Sequence, residues 1–148
     1  MFDCPYGESR KYWKGHFVRE LPDELLRRIV ALGQRPGEVL IESLHGAPKD
    51  VDANGAALGF RDAAFNISAM ADWRDPALDE QFIGWARDTA AALEPSVSGD
   101  YVNYMQADGP IERVRAAFGD DAFERLRALK GLYDPDNILH RNQNIPPP

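Results

Sequence analysis

Tyr101 and Tyr104 stand three residues apart with Asn103 between them, and a phenol can both give and take a proton. A free tyrosine titrates near ~10, so only ~0.1% is phenolate at pH 7. A tyrosine base therefore requires a nearby cation, a network of hydrogen-bond donors or a bound cofactor to lower that value, and Arg61 is the candidate cation. The plainer reading makes the two tyrosines amphipathic packing residues at the end of a strand. A second constellation is Asn66 and Ser68, which share one face of an alternating segment with Met70. A few polar groups among apolar ones make a pocket floor, and the same pattern also fits a sheet face open to water.

Other chemistries find less support. His16, His45 and His140 lie far apart and lack metal-ligand spacing, so they read as structural or surface groups. Cys4 lies near the N-terminus with no evident base partner, which argues against a nucleophile. Gly7, Gly15 and Gly33 stand in unrelated contexts and form no phosphate loop. Lys130, Asp134 and Asn137 surround Pro135 and read as a structural lock, in which Asn137 caps exposed backbone groups. Asp120, Asp121 and Glu124 favour a helix start.

Strands and helices must hold these groups in place. Tyr12 to Val18 is aromatic and β-branched and predicts a strand. Leu21-Pro22-Asp23-Glu24 opens a helix that Gly33 stops, with Leu25, Leu26, Ile29, Val30 and Leu32 as its buried face. Glu38 to Leu44 predicts a second strand, and Gly46 and Gly55 bracket a polar loop. The third strand runs from about Asp62 to Asp72, with Phe65, Ile67, Ala69 and Ala71 on its core face. Asp75-Pro76 opens the longest helix, reaching Leu93 along a stripe of Leu78, Phe82, Trp85, Ala86 and Ala90, and Pro95 and Gly99 end it. After Asp108-Gly109-Pro110 come two shorter helices, the first with Ile111, Val114, Ala117 and Phe118, the second with Phe123, Leu126 and Leu129. Pro146, Pro147 and Pro148 read as a frayed tail. Strands first and helices after predict an α+β fold with helices packed on an antiparallel sheet.

The 148 residues suit one domain with a real core, and 44% hydrophobic with 10% aromatic residues marks a folded chain. A net charge of −7 argues against nucleic acid as a partner. One cysteine precludes an intrachain disulfide and fits a cytoplasmic location. The segment Met1 to Tyr6 lacks the basic and apolar regions of a signal peptide, and no stretch has the ~18 apolar residues of a membrane span.

The last third carries a longer pattern. Tyr101-Val102-Asn103-Tyr104 is followed by Glu124-Arg125-Leu126, then by Lys130-Gly131-Leu132-Tyr133-Asp134-Pro135-Asp136-Asn137, and then by Arg141-Asn142-Gln143-Asn144-Ile145-Pro146. It resembles the C-terminal signature of the berberine-bridge-enzyme-like FAD-linked oxidases: Y-x-N-Y, R-L on a helix, K-x-x-Y-D-P-x-N and an asparagine-rich tail. Upstream, Leu21-Pro22-Asp23-Glu24, His45-Gly46-Ala47, and Arg61 with Phe65, Ile67 and Trp73 are similar to the family's L-P-D-E, glycine turn and R-x-x-x-[FY]-x-[ILV]-x-x-x-x-x-W. Two departures stand out. Phe60-Arg61 replaces a frequent His-Arg, and Asn66 and Ser68 occupy a strand face that often carries Glu or Gln.

The resemblance implies that residues 1–148 form one unit equivalent to the last third of a family member, part of its substrate domain, with the signature over 98–146. The family's flavin-binding domain lies N-terminal to this region. Members oxidise alcohol, amine or related C–H donors by hydride transfer to FAD while a base removes a proton. The resemblance makes Tyr104 the base, places Tyr101 against substrate and flavin, and puts Asn103 on the flavin. Asn66 and Ser68 then face the substrate. It also implies a flavin-binding domain or subunit as partner, in cis or in trans, and no activity for these residues alone. The competing expectation is a small-molecule-binding or self-associating α+β module, a homodimer among its forms, without redox chemistry.

Overall fold

The computed structural model describes residues 7–32, 36–47, 49–50, 56–57, 59, 61–105 and 110–148. Cys4 and the rest of Met1–Tyr6 lie outside them, as do Gly33, Gly55, Phe60, Asp108 and Gly109, so the expectations placed on those residues meet no structural observation. The chain runs β1 (Arg10–Val18), α1 (Asp23–Leu32), β2 (Glu38–Ser43), β3 (Phe65–Trp73), α2 (Asp79–Leu93), β4 (Val97–Asp100), α3 (Ile111–Phe118) and α4 (Asp120–Tyr133). The four strands form one antiparallel sheet in the order β2-β3-β1-β4. This is the expected α+β fold.

Alternation along β1 and β3 divides the sheet into two faces. Lys14 pairs with Ala69, His16 with Ile67 and Val18 with Phe65, so these residues share the face that carries the helices. One core cluster there joins Tyr12, Ala69, Ala71 and Trp73 to Ala86 of α2, with Phe82, Ile83 and Trp85 packed against it. A second joins Val18 and Ile67 to Leu25 and Ile29 of α1 and Leu93 of α2. The alanines Ala69, Ala71 and Ala86 bring the α2 backbone close to the sheet, and that proximity lets Trp85 donate from Nε1 to Leu32 O at 3.0 Å.

The predicted long helix has two parts. Asp75 caps a single 3-10 turn, Pro76–Leu78, by accepting from Ala77 N at 2.9 Å, and the α-helix begins at Asp79. After Leu93 the chain makes another 3-10 turn and enters β4, which ends just before Tyr101, where the plainer reading of the tyrosines put the end of a strand. Gly99 does not stop a helix: it lies in that strand, paired with Phe17.

The C-terminal helices are less buried than their apolar spacing suggested. Phe123 is the buried residue of α4, while Leu129 and Leu132 are 52% and 70% exposed. Tyr133, Ile138 and Leu139 extend this open apolar surface. The expected lock at the end of α4 exists, with a different capping residue. Asp134 caps the helix end: Oδ1 accepts from Ile138 N at 2.8 Å, Oδ2 accepts from Leu139 N at 3.0 Å, and Lys130 Nζ donates to Oδ2 as well. Asn137 supplies the left-handed turn instead, at φ 52°. The Lys130 ammonium and then the two backbone donors, working against burial, hold the Asp134 carboxyl below its ordinary range. The tail is tied down rather than frayed, because Arg127 donates to Pro146 O and Pro147 O at 3.4 and 3.3 Å. We expect Asp134→Ala to leave the sheet intact and release the tail. Hydrogen exchange would then show Ile138 and Leu139 amides losing protection while β1 and β3 amides keep theirs. Unchanged protection at Ile138 would contradict the cap.

Candidate active site

The face of the sheet away from α1 and α2 carries the predicted site residues. After Asp100 the chain makes one 3-10 turn, Val102–Tyr104, closed by Tyr104 N donating to Tyr101 O at 2.9 Å. This turn throws both tyrosines back over β1. Tyr104 meets Trp13 edge-to-face at 6.0 Å between ring centroids, and Tyr101 meets Phe17 at 5.7 Å and Tyr104 at 5.0 Å. Such T-shaped pairs set ring orientation as well as burying area. Gln143 in the tail fastens the turn from outside, donating from Nε2 to Met105 O at 2.7 Å.

A gap in β1 makes room for the second ring. A Cβ on Gly15 would lie 2.6 Å from Ser68 Oγ, 3.0 Å from Tyr104 Cδ2 and 3.4 Å from Asn66 Oδ1. Only a residue without a side chain lets the Tyr104 ring settle there, above Asn66 and Ser68. The structure therefore brings Tyr101, Tyr104, Asn66 and Ser68 together. Asn103 is exposed at the rim, its Nδ2 donating to Tyr101 Oη at 2.8 Å.

One expectation changes in detail. Asn66 and Ser68 are 3% and 0% exposed, so they form the floor beneath Tyr104 rather than an open face. Asn66 Nδ2 donates to Glu42 Oε2 at 2.6 Å and to Ser68 Oγ at 3.4 Å, while its buried Oδ1 has no partner among the described residues. A charge that acts on Tyr104 is the Glu42 carboxylate. Burial first, then Glu42 and Tyr101, hold the phenol above its ordinary value.

Sequence reasoning passed over Glu42. Its signal was an acid between Leu40 and Leu44 on one face of a strand, which gains meaning only through register. Glu42 pairs with Asn66, and Asn66 with Phe17, in one row; Leu40, Ser68 and Gly15 form the next.

Behind the turn, on the helix face, His16 is 4% exposed and binds Asp100 Oδ1 through Nδ1 at 2.5 Å. Arg113 of α3 donates to Asp100 Oδ2 from Nη2 at 2.8 Å and from Nε at 3.1 Å. This triad joins β1, β4 and α3 directly beneath Tyr101.

The shelf of Trp13, Tyr101 and Tyr104, with an amide and a hydroxyl at its rim, suits one side of a flat aromatic ring and a small donor molecule. A diphosphate finds no such welcome. Helix N-termini bind phosphate through their positive end. Here each of the four first turns carries acid: Asp23 and Glu24, Asp79 and Glu80, Glu112, and Asp120 and Asp121. Among the described residues, the α-helix starts therefore offer a diphosphate no favourable positive end.

Residues 100–146 match the family described as Berberine and berberine like. The FAD-linked oxidoreductase YgaK of Bacillus subtilis is 31% identical over 106 residues, covering 72% of this chain and 23% of YgaK. GilR, solved in complex with pregilvocarcin, shares 25% identity with a TM-score of 0.76, over 91% of this chain and 32% of its own. Berberine bridge enzyme from Eschscholzia californica has the same fold, with a TM-score of 0.80 at 20% identity over 98% of this chain and 34% of its own. The chain thus spans about a quarter to a third of the length of these relatives. No helix among the described residues is long and apolar enough to cross a membrane. In sequence motifs, in the 100–146 match and in fold, this chain belongs to the berberine-bridge-enzyme-like FAD-linked oxidase family, corresponding to part of its members' length.

Proposed function

We propose that these residues form the substrate-side wall of an FAD-dependent oxidoreductase that oxidises a hydroxyl- or amine-bearing carbon. The observation that carries this reading is the Trp13, Tyr101 and Tyr104 shelf set beside the Glu42 carboxylate. An aromatic shelf holds a small donor flat, and a carboxylate or phenol beside it handles the proton. When bound, FAD would accept the hydride. Tyr101 and Tyr104 orient the donor, Asn103 and the Tyr101 hydroxyl meet the flavin edge, and Asn66 and Ser68 hold the floor.

The flavin's diphosphate belongs elsewhere, in cis or on a partner, because the α-helix starts among the described residues are acidic. The open apolar surface of Leu129, Leu132, Tyr133, Ile138 and Leu139 is the natural contact for that flavin-bearing part. By itself the chain then performs no oxidation. The same surface is what a self-associating module would use, so sedimentation of the isolated chain separates the two readings.

An absorbance spectrum after FAD addition and desalting tests the division of labour. We expect residues 1–148 alone to retain no flavin band, and the flavin-loaded full-length protein to bleach anaerobically with a member of an alcohol and amine panel. Flavin retention and turnover by residues 1–148 alone would place the whole site within them. A flavin-loaded protein that no alcohol or amine reduces would overturn the substrate class.

A further inference from the structure

The face built around Gly15 holds a carboxylate that the family resemblance did not assign. We propose that Glu42 is the proton acceptor of this site, positioned by Asn66, and that Tyr104 serves the substrate as a hydroxyl donor. This rests on the oxidoreductase reading above and names the residue that completes it.

Geometry carries the assignment. The face of β3 offers an amide and a hydroxyl, Asn66 and Ser68, where a base from that strand would need a carboxylate. The neighbouring strand β2 supplies one in the same row, since Glu42 pairs with Asn66. The 2.6 Å hydrogen bond from Asn66 Nδ2 fixes Glu42 Oε2, and Asn66 is itself buried, so the carboxylate has a rigid anchor. Glu42 is half-buried. The Gly15 gap seats Tyr104 over Asn66 and Ser68, within electrostatic reach of Glu42. A carboxylate offers only acceptor oxygens, whereas a phenol also carries an O–H to donate. The group able to accept a proton is the carboxylate, and the phenol is left to donate.

In the proposed step the donor's O–H or N–H bond breaks and its proton bonds to a Glu42 carboxylate oxygen. The electron pair left on that oxygen or nitrogen forms the new π bond to carbon. The C–H bond on that carbon would break with it, and bound FAD would supply the two-electron acceptor for its hydride. The Tyr104 hydroxyl donates a hydrogen bond to the atom losing its proton, which stabilises the charge developing there.

The test compares wild type, Glu42→Gln, Glu42→Asp and Tyr104→Phe in the flavin-loaded full-length protein, with circular dichroism confirming the fold. Anaerobic flavin reduction is followed against pH. Carbon-13 NMR follows the Glu42 carboxyl and the Tyr104 ring in the same pH range, without substrate. We expect the Tyr104 ring signals to track the Glu42 titration and to stop doing so in Glu42→Gln. Reduction should slow by about 100-fold or more in Glu42→Gln, with loss of the acid limb. Glu42→Asp should restore that limb, and Tyr104→Phe should keep it with a loss nearer tenfold. An active wild type whose acid limb survives in Glu42→Gln, or vanishes in Tyr104→Phe, overturns the assignment alone. A Tyr104 signal indifferent to Glu42 does the same. A wild type that binds flavin but reduces it with no donor overturns the oxidoreductase reading, and the assignment with it.

Discussion

Asp100→Ala is expected to destabilise the chain by roughly 3 kcal/mol and to loosen the turn that carries Tyr101 and Tyr104. Breaking a buried ion pair costs more than the pair ever contributed, because the surviving partner stays buried without compensation. Asp100 accepts from His16 on one oxygen and from Arg113 on the other, and His16 is almost wholly enclosed. The lower end of the usual 3–5 kcal/mol range applies, because the Arg113 side chain is 36% exposed and can be rescued by water. Loss of the carboxylate leaves His16 without its acceptor and frees α3 from β4. Urea unfolding would read the stability, and near-ultraviolet circular dichroism would read the ordering of the Tyr101 and Tyr104 rings. A change under about 1 kcal/mol would class the triad with surface pairs and sink the prediction.

The triad also sets a pH dependence whose sign follows from its geometry. Burial pushes the Asp100 carboxyl up, but the hydrogen bonds from His16 and Arg113, with their charges, outweigh it and hold the group below its ordinary value. A carboxyl depressed in the folded state contributes stability above its unfolded value of ~3.9, and that contribution disappears as pH falls through the folded value. Acidification below about pH 4 should therefore narrow the gap between wild type and Asp100→Ala. Asp79 and Asp134 are depressed too and add the same slope to both proteins, so the difference isolates Asp100.

Local signals predicted most of the scaffold. The strict alternation from Phe65 to Ala71 marked both faces of β3, and Leu21-Pro22-Asp23-Glu24 marked the start of α1 within a residue. The strand β4 was implied only by its end at the tyrosines, because four residues including Gly99 have little intrinsic preference. Its pairing with Phe17 and Val18 and the bond between His16 and Asp100, 84 residues apart, are what make it a strand. His16 read as structural or surface for the same reason, since its partner is invisible locally. Glu42 could be placed on a face but not beside Asn66, because register between strands joined by a long loop depends on packing rather than on spacing. The apolar spacing of α4 correctly records an apolar face, yet spacing alone does not say what covers it, and Leu129 and Leu132 stand open.

Trp73→Ala should be the most damaging single core change, at about 3–5 kcal/mol. Trp73 closes β3 and is 6% exposed, with Phe82 of α2 stacked on it at 5.1 Å and an interplanar angle of 14°. Its Nε1 donates to Asp79 Oδ1 at 2.7 Å, and Arg10 at the start of β1 meets the same carboxylate at 2.5 Å. One indole thus fixes the register of β1 and β3 against the first turn of α2. Its removal would leave a cavity between the sheet and α2, lined by Tyr12 and Ala86, which are too constrained to collapse into it. A domain of this size has only about 5–15 kcal/mol of stability to lose, so the variant would stand close to its unfolding threshold. Trp73→Phe keeps most of the stacked surface and loses the hydrogen bond, and it should fall between the two. Urea midpoints in the order wild type, Trp73→Phe, Trp73→Ala would establish packing as the main contribution. Equal losses in the two variants would shift the weight to the bond with Asp79, and with it the anchor of α2 from the apolar core to the rim of the sheet.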